Sequence, residues 1–406
     1  MKPLHLKAAA ALAAAALAGV GYQTAFAGEA APGRSAAEGA PASPAEAAAM
    51  DVAYYSESLD AELTDVAALS KSEGWAIGTT REDGAGGDPE QVLLHRDGGE
   101  WKPSELPEEA AGASLSQIEG SAPDNVWLFA TKNDQSGSLA FRFDGGKWKA
   151  MPAPDTEGSP SNRGAAVLAA DDAWVLGYGK SVHHWDGTKW TESQLPADAL
   201  SLAGVSSDDV WAVGFRETSE DGGGPMSQPA AMHWDGKEWK LEKTPEYHFP
   251  DPAPPEESAS LDSAVAVSGD EVWAVGTHTF NHGEGGPEPE EESILLRWDG
   301  KEWREGPADA AEKASEEFAP DGAGGLVLGR YWHMTADGEL REIARHKPVP
   351  GRSGKVEEVD KKQRFWPDET VHVPGTKQVW STGVIELGAY GDANFRRGAI
   401  LSYDAG

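Results

Sequence analysis

The chain has 406 residues, among them 16 Trp and no Cys, and its 68 acidic residues against 34 basic ones give a formal net charge of −34. This length can bury a core without disulfide staples, and the absence of cysteine excludes thiol chemistry and disulfides alike. So strong a negative charge keeps a protein soluble and repels phosphate backbones and anionic lipid, which argues against nucleic acid or a membrane surface as partner.

Residues 1–27 carry Lys2 and Lys7, an apolar run from Ala8 to Val20, and the small-x-small sequence Ala25-Phe26-Ala27. These features predict a secretory signal peptide and hence an extracellular protein. No segment offers the ~20 apolar residues that a membrane-crossing helix needs. Residues 28–50 are almost wholly Ala, Gly, Pro, Ser and Glu, a composition that predicts a disordered tether. An ordered domain is expected over residues 51–406, opening where Val52, Tyr54 and Tyr55 cluster.

A repeat occupies that domain. Each copy has a short apolar strand ending in Trp-x-x-Gly or a near variant, then an Asp-Gly-like turn and usually a second Trp. The clearest copy is Asp209-Val210-Trp211-Ala212-Val213-Gly214 followed by His233-Trp234-Asp235-Gly236-Lys237-Glu238-Trp239. First-strand tryptophans fall at 75, 127, 174, 211, 273 and 380, with Leu326 standing in for the sixth of seven copies. Periods in this range characterise propeller blades. Two apolar runs flank Ser207-Asp208-Asp209, and two more flank Asp235-Gly236, a strong hairpin signal, so each copy reads as four antiparallel strands. The prediction is an all-β, seven-bladed β-propeller whose tryptophans fill the wedges between blades. The seventh copy ends at Tyr403-Asp404-Ala405-Gly406, before any fourth strand, so Val52–Tyr55 is expected to pair with Ala399–Tyr403 and close the ring.

The turn Asp precedes the outer Trp by four residues in all five complete copies, whereas the spans on the other side of each blade vary. One face of the disc therefore gathers the insertions, and function is expected there. Its aromatic residues outside the repeat register include Tyr247, Phe249, Phe280, Phe365, Trp366, Tyr390 and Phe395, proposed as a stacking surface for a glycan or peptide. The span from Arg345 to Arg364 is locally basic, and Glu288 to Glu292 is acidic.

Other chemistry is sparse. His278, His282 and Glu284 lack helical support for a metal site. The acidic loop at Asp221 suggests calcium but has no spaced ligand series. The segment Gly351 to Lys355 fails as a phosphate loop because Val349 and Val356 occupy required positions. No catalytic residue, metal site or cofactor is assigned.

The units Gly74-Trp75-Ala76-Ile77-Gly78 and His95-Arg96-Asp97-Gly98-Gly99-Glu100-Trp101 resemble the repeats of Asp-box-related bacterial propellers. The later Ser-x-Asp-Asp-Val-Trp-Ala-Val-Gly and Trp-Asp-Gly-Lys-x-Trp units are similar to repeats of exported actinobacterial propellers, and more loosely to WD40-type, tectonin and kelch repeats. The resemblance covers residues 51–406 and implies a propeller. It implies no single activity. The chain lacks the Ser-x-Asp-x-Gly-x-Thr-Trp spacing of a true Asp box, and without Cys it lacks the cross-linked Tyr-Cys cofactor of galactose-oxidase-like kelch enzymes. Together these readings predict a secreted, monomeric, non-catalytic binding or scaffold module for an extracellular protein or cell-surface glycan. The alternative is an extracellular hydrolase or lyase working on glycans through paired carboxylates on the loop face.

Overall fold

A computed structural model of the protein describes residues 48–81, 89–134, 136–156, 163–218, 226–251, 254–281, 289–388 and 394–406. Residues 1–47, which span the expected signal peptide and most of the expected tether, and Tyr390 lie outside them. Among the described residues no helix is long and apolar enough to cross a membrane.

Among the described residues the strands form five four-stranded antiparallel sheets and one eight-stranded sheet. The larger sheet divides where Ser227 meets Ser258 in one parallel contact, so it holds two four-stranded units. In chain order the innermost strands are Ala61–Ser70, Ala113–Ala122, Ala165–Ala169, Asp198–Ser206, Ser258–Ser268, Ala319–Pro320 and Arg364–His372, which we number blades 1 to 7. Each innermost strand lies against that of the next blade, and blade 7 lies against blade 1. This is the expected closed β-propeller.

Closure follows the predicted pairing. Asp51–Tyr55 runs antiparallel to Phe395–Asp404, with Val52 opposite Leu401 and Tyr55 opposite Ala399, and supplies the fourth strand of blade 7. The buried Arg397 secures the junction. Its guanidinium donates to the carbonyls of Ser56, Glu57 and Pro350, tying the first strand's exit to the last blade.

The core is divided among seven clusters, each shared by two neighbouring blades. Trp75, Ile77 and Leu93 of blade 1 meet Val126, Leu128 and Phe141 of blade 2 in one of them. The two tryptophans of a repeat pack across the seam rather than within a blade. The first-strand Trp of one blade meets the outer Trp of the next edge to face: Trp75 with Trp148 at 5.1 Å, Trp127 with Trp190 at 5.8 Å, Trp174 with Trp239 at 5.5 Å and Trp211 with Trp303 at 5.3 Å. Trp380 of blade 7 meets Trp101 of blade 1 at 5.4 Å in the same way. Between blades 5 and 6 the outer Trp is absent, and Leu326, Met334 and Leu340 receive Trp273 instead.

The repeat's histidines and carboxylates serve this seam. His95, His184 and His233 each stack on the first-strand Trp of their blade, at 3.8, 4.1 and 4.3 Å. Each also bonds a carboxylate two residues before that Trp: Glu73, Asp172 and Asp209. The conserved spacing within the chain is thus a carboxylate holding an imidazole flat against an indole.

The glycine that ends the first-strand motif answers a close approach. In blade 4 the innermost strand carries a bulge between Ala199 and Ser201, and a Cβ on Gly214 would stand 2.1 Å from the Asp198 carbonyl oxygen. Gly276 meets the Ser260 carbonyl in the same way at 1.9 Å. Only a residue without a side chain lets the bulged strand lie this close.

Two measurements test this architecture. Deleting residues 51–58 is expected to lower the thermal midpoint sharply, while deleting 28–46 leaves it nearly unchanged; equal midpoints would refute closure by the first strand. Gly214→Ala should cost about 1–3 kcal/mol in denaturant unfolding, as overpacking does. A loss no larger than that of an exposed surface substitution would mean that the bulge is not fixed by the glycine.

Candidate functional site

The bulges decide what the propeller presents at its axis. They recur between Leu63 and Asp65, Leu115 and Gln117, Ala199 and Ser201, Leu261 and Ser263, and Pro367 and Glu369. Each lies near the start of an innermost strand, the end that faces the variable loops. There the chain sets polar side chains around a cavity of about 310 Å³. The hydroxyl and carboxylate members also stitch blades together: Asp65 accepts the amides of Val66 and of Ile118 in blade 2, both at 2.7 Å, and the Ser201 hydroxyl accepts that of Ala264 in blade 5.

The cavity is chemically lopsided. Blades 7 and 2 place Glu369 and Glu119 on its wall, both repelling charge on Asp65 of blade 1, whereas Ala166, Ala203, Gly204, Ala264 and Ala266 form much of the remaining wall. Arg163, on the approach to blade 3, is the guanidinium among them. It pairs with Glu316 at 2.9 Å and Glu369 at 3.3 Å, and donates to the Asp368 carbonyl at 2.9 Å.

One arginine does not neutralise this group. Burial, then repulsion from Glu119 and Glu369, holds the Asp65 carboxyl well above the usual carboxylate range. Burial and then Glu369 push Glu119 up to about 8. Burial raises Glu369 to about 7 against the pull of Arg163, and burial followed by Glu62 and Glu317 raises Asp368 to about 7. Arg163 itself is held above its ordinary value: burial opposes its charge, but Glu369, Glu316, Glu317 and Asp65 outweigh that.

A second feature of the same face has the opposite sign. Trp366, at the loop end of blade 7, is 42% exposed, and the Arg330 guanidinium lies 3.4 Å from its ring centroid. Beside it a cleft of about 550 Å³ is lined by Arg345, Lys361, Lys362, Arg364 and Glu386. Burial and repulsion from Arg364 and Arg345 hold Arg330 below its ordinary value. Among the described residues no carboxylate forms an ion pair with Arg330, Arg345, Lys362 or Arg364, and Glu358 pairs with Lys361 at 2.7 Å.

The other aromatics singled out in the sequence do not gather round Trp366. Phe249 and Phe280 are buried and pack edge to face at 5.3 Å beneath the blade 5 loops. Phe249 also stacks on the fully buried His278, whose ring nitrogens face Glu257 and Glu292 at 2.9 and 3.0 Å. Tyr247 is half-buried beside that imidazole. Phe365 and Phe395 lie together in the core cluster between blades 6 and 7. His282, Glu284 and the loop at Asp221 lie outside the described residues.

Two parts of the site were not singled out in the sequence. Arg330 sits in the tight connection of the shortest blade, where no insertion marks it. The axial carboxylates were hidden inside apolar strands; the position ten residues before the first-strand Trp, at 75, 127, 211 and 273, marks Asp65, Gln117, Ser201 and Ser263 but neither Glu119 nor Glu369.

The axial carboxyls bind protons more tightly in the folded chain than in the unfolded one. The stability this brings is complete below about 4.5 and is lost as pH rises to about 8. The midpoint of urea unfolding is therefore expected to fall across that window, and Glu119→Gln should flatten the decline. An unaltered slope in that variant would refute the assignment.

No family model and no curated protein matches the chain. Among solved structures it is similar to the β-propeller domain of the Trilobed protease from Pyrococcus furiosus, which has an open velcro topology. That match has 12% identity and a TM-score of 0.50, covering 86% of this chain and 96% of that one. It is also similar to YCF48 from Cyanidioschyzon merolae, at 12% identity and a TM-score of 0.37, covering 88% of this chain and 99% of that one. What the likeness to the Pyrococcus furiosus domain shows is the fold: the chain is a β-propeller.

Proposed function

We propose that the protein is a secreted, monomeric, non-catalytic binding module that captures an extracellular glycan through its loop face, at the Trp366 cleft. The observation that carries this reading is the crowding of unneutralised cations. A chain with 68 acidic residues has carboxylates to spare, yet Arg330, Arg345, Lys362 and Arg364 are held near one another without an ion pair among the described residues. Like charges kept together in this way raise the free energy of the empty site and lower it when an anion binds. The exposed indole adds an apolar face on which a sugar ring can stack, so a glycan carrying carboxylate or sulfate groups fits both features.

A hydrolase or lyase is the second reading, favoured by the carboxyls that converge on the axis. The direction of their shifts weighs against it. Acid–base catalysis by two carboxyls needs their proton affinities driven apart, one acid and one ionised base, whereas Asp65, Glu119, Asp368 and Glu369 are all driven upward.

Retention on immobilised polygalacturonate, with neutral dextran as control, tests the two readings together. The protein should bind the anionic polymer and elute as salt rises. Trp366→Ala and Arg364→Glu should each weaken retention by roughly tenfold or more without moving the thermal midpoint, in line with a desolvated cation or aromatic contact. Retention unaffected by both changes would refute the cleft. Release of reducing ends or unsaturated sugars from the polymer would replace the binding reading with the enzymatic one.

A further inference from the structure

We propose that the axial cavity is a second binding site, for a primary alkylammonium group. The cavity's polar corner offers acceptors and few donors. Gln117 is 1% exposed, its Nε2 donates to Glu119 at 3.4 Å, and its Oε1, on a side chain that lines the same cavity, has no hydrogen-bond partner. A buried acceptor left in this state costs free energy until a donor reaches it. Beside it stand Glu119 and Glu369, and the nearby guanidinium is already engaged: Arg163 is held by Glu316, Glu369 and the Asp368 carbonyl. A ligand that completes this corner must be cationic and must donate several hydrogen bonds. An ammonium does both.

The shape of the cavity separates an organic cation from a metal ion. Among the described residues no three His, Asp or Glu side chains are grouped to hold a metal ion. The volume of about 310 Å³ far exceeds that of one ion, and the wall of Ala166, Ala203, Ala264 and Ala266 offers an apolar surface to a short carbon chain. Ser201 and Ser263 border that wall, so the ligand is placed with its ammonium toward blades 7 and 2 and its methylenes toward blades 3 to 5. The same chemistry is carried by a free aliphatic amine and by a lysine side chain.

Binding is expected to depend on pH, because a protonated carboxyl gives an ammonium nothing to neutralise. Of the charged groups, Glu119, Arg163 and Glu369 line the cavity together with His372, and Asp65, Asp368, Asp262, Glu316 and Glu317 act on these or on one another from around it. Since Glu119 titrates at about 8, affinity should rise with pH toward that value.

Titration calorimetry of the full chain with n-butylamine hydrochloride tests the site, with Nα-acetyl-lysine amide and calcium chloride as further arms. One equivalent of butylammonium should bind near pH 8, with proton release, and on the order of tenfold more weakly for each pH unit below it. Glu119→Gln and Glu369→Gln should each weaken binding roughly tenfold, Gln117→Leu should weaken it as well, and Trp366→Ala should leave it unchanged. Near-ultraviolet circular dichroism of the tryptophan seam shows which variants remain folded, and either glutamate variant alone suffices. Binding of the lysine amide alongside butylamine would identify a side chain of a partner as an acceptable source; butylamine alone would restrict the site to free amines. The proposal is overturned if no amine binds at alkaline pH, if neither glutamine variant weakens binding, or if calcium binds stoichiometrically and amines do not.

Discussion

The edge-to-face contact between tryptophans of successive blades is the interaction on which the molecule depends. Burying an indole removes 150–250 Å² from water, worth roughly 4–6 kcal/mol as an upper figure at 25 cal/mol per Å². Five seams contain such a pair. Because each pair joins two blades, no blade completes its own core, and the ring is stable only as a closed set. That is why a chain of this kind can dispense with disulfides, and why its last blade takes a strand from the first residues of the domain.

Function is placed by the same constraint. Seven blades drawn together at the seams bring their innermost strands together at the axis, where side chains from distant parts of the sequence converge. Asp65 and Glu369 are more than three hundred residues apart in the chain, yet Glu369 raises the proton affinity of Asp65. The bulge that the motif glycine permits turns these residues toward the axis and leaves the seam undisturbed. The tryptophan stands on the second strand of a blade and the axial side chain on the innermost one, so substitutions at the axis need not disturb the wedge of aromatic rings.

The loop face carries two regions of opposite sign. The axial cavity concentrates carboxyls beyond what Arg163 can neutralise, and the Trp366 cleft concentrates cations, among which Lys361 pairs with Glu358. Within each region like charges repel one another. Net charge describes neither, since the chain's overall −34 would suggest only repulsion of anions.

The architecture was legible in the sequence because it rests on local, repeated chemistry. The Trp-x-x-Gly strand end, the Asp-Gly hairpin and the histidine before the turn act over a few residues, and each recurrence confirms the others. Even closure could be read, since a seventh repeat without a fourth strand leaves an edge for Val52–Tyr55 to fill. The basic stretch around Trp366 was likewise visible, being nearly continuous in the chain. What the sequence could not decide was which aromatics face solvent: Phe249, Phe280, Phe365 and Phe395 stand in long loop-side segments but are drawn into the core, because a buried ring gains more from packing than an exposed one. Nor could it reveal the axial carboxyls as a group, since Asp65, Glu119 and Glu369 sit in separate repeats and become neighbours only when the ring closes. Periodicity fixes the blade; proximity across blades, and the proton affinities it creates, belong to the tertiary structure alone.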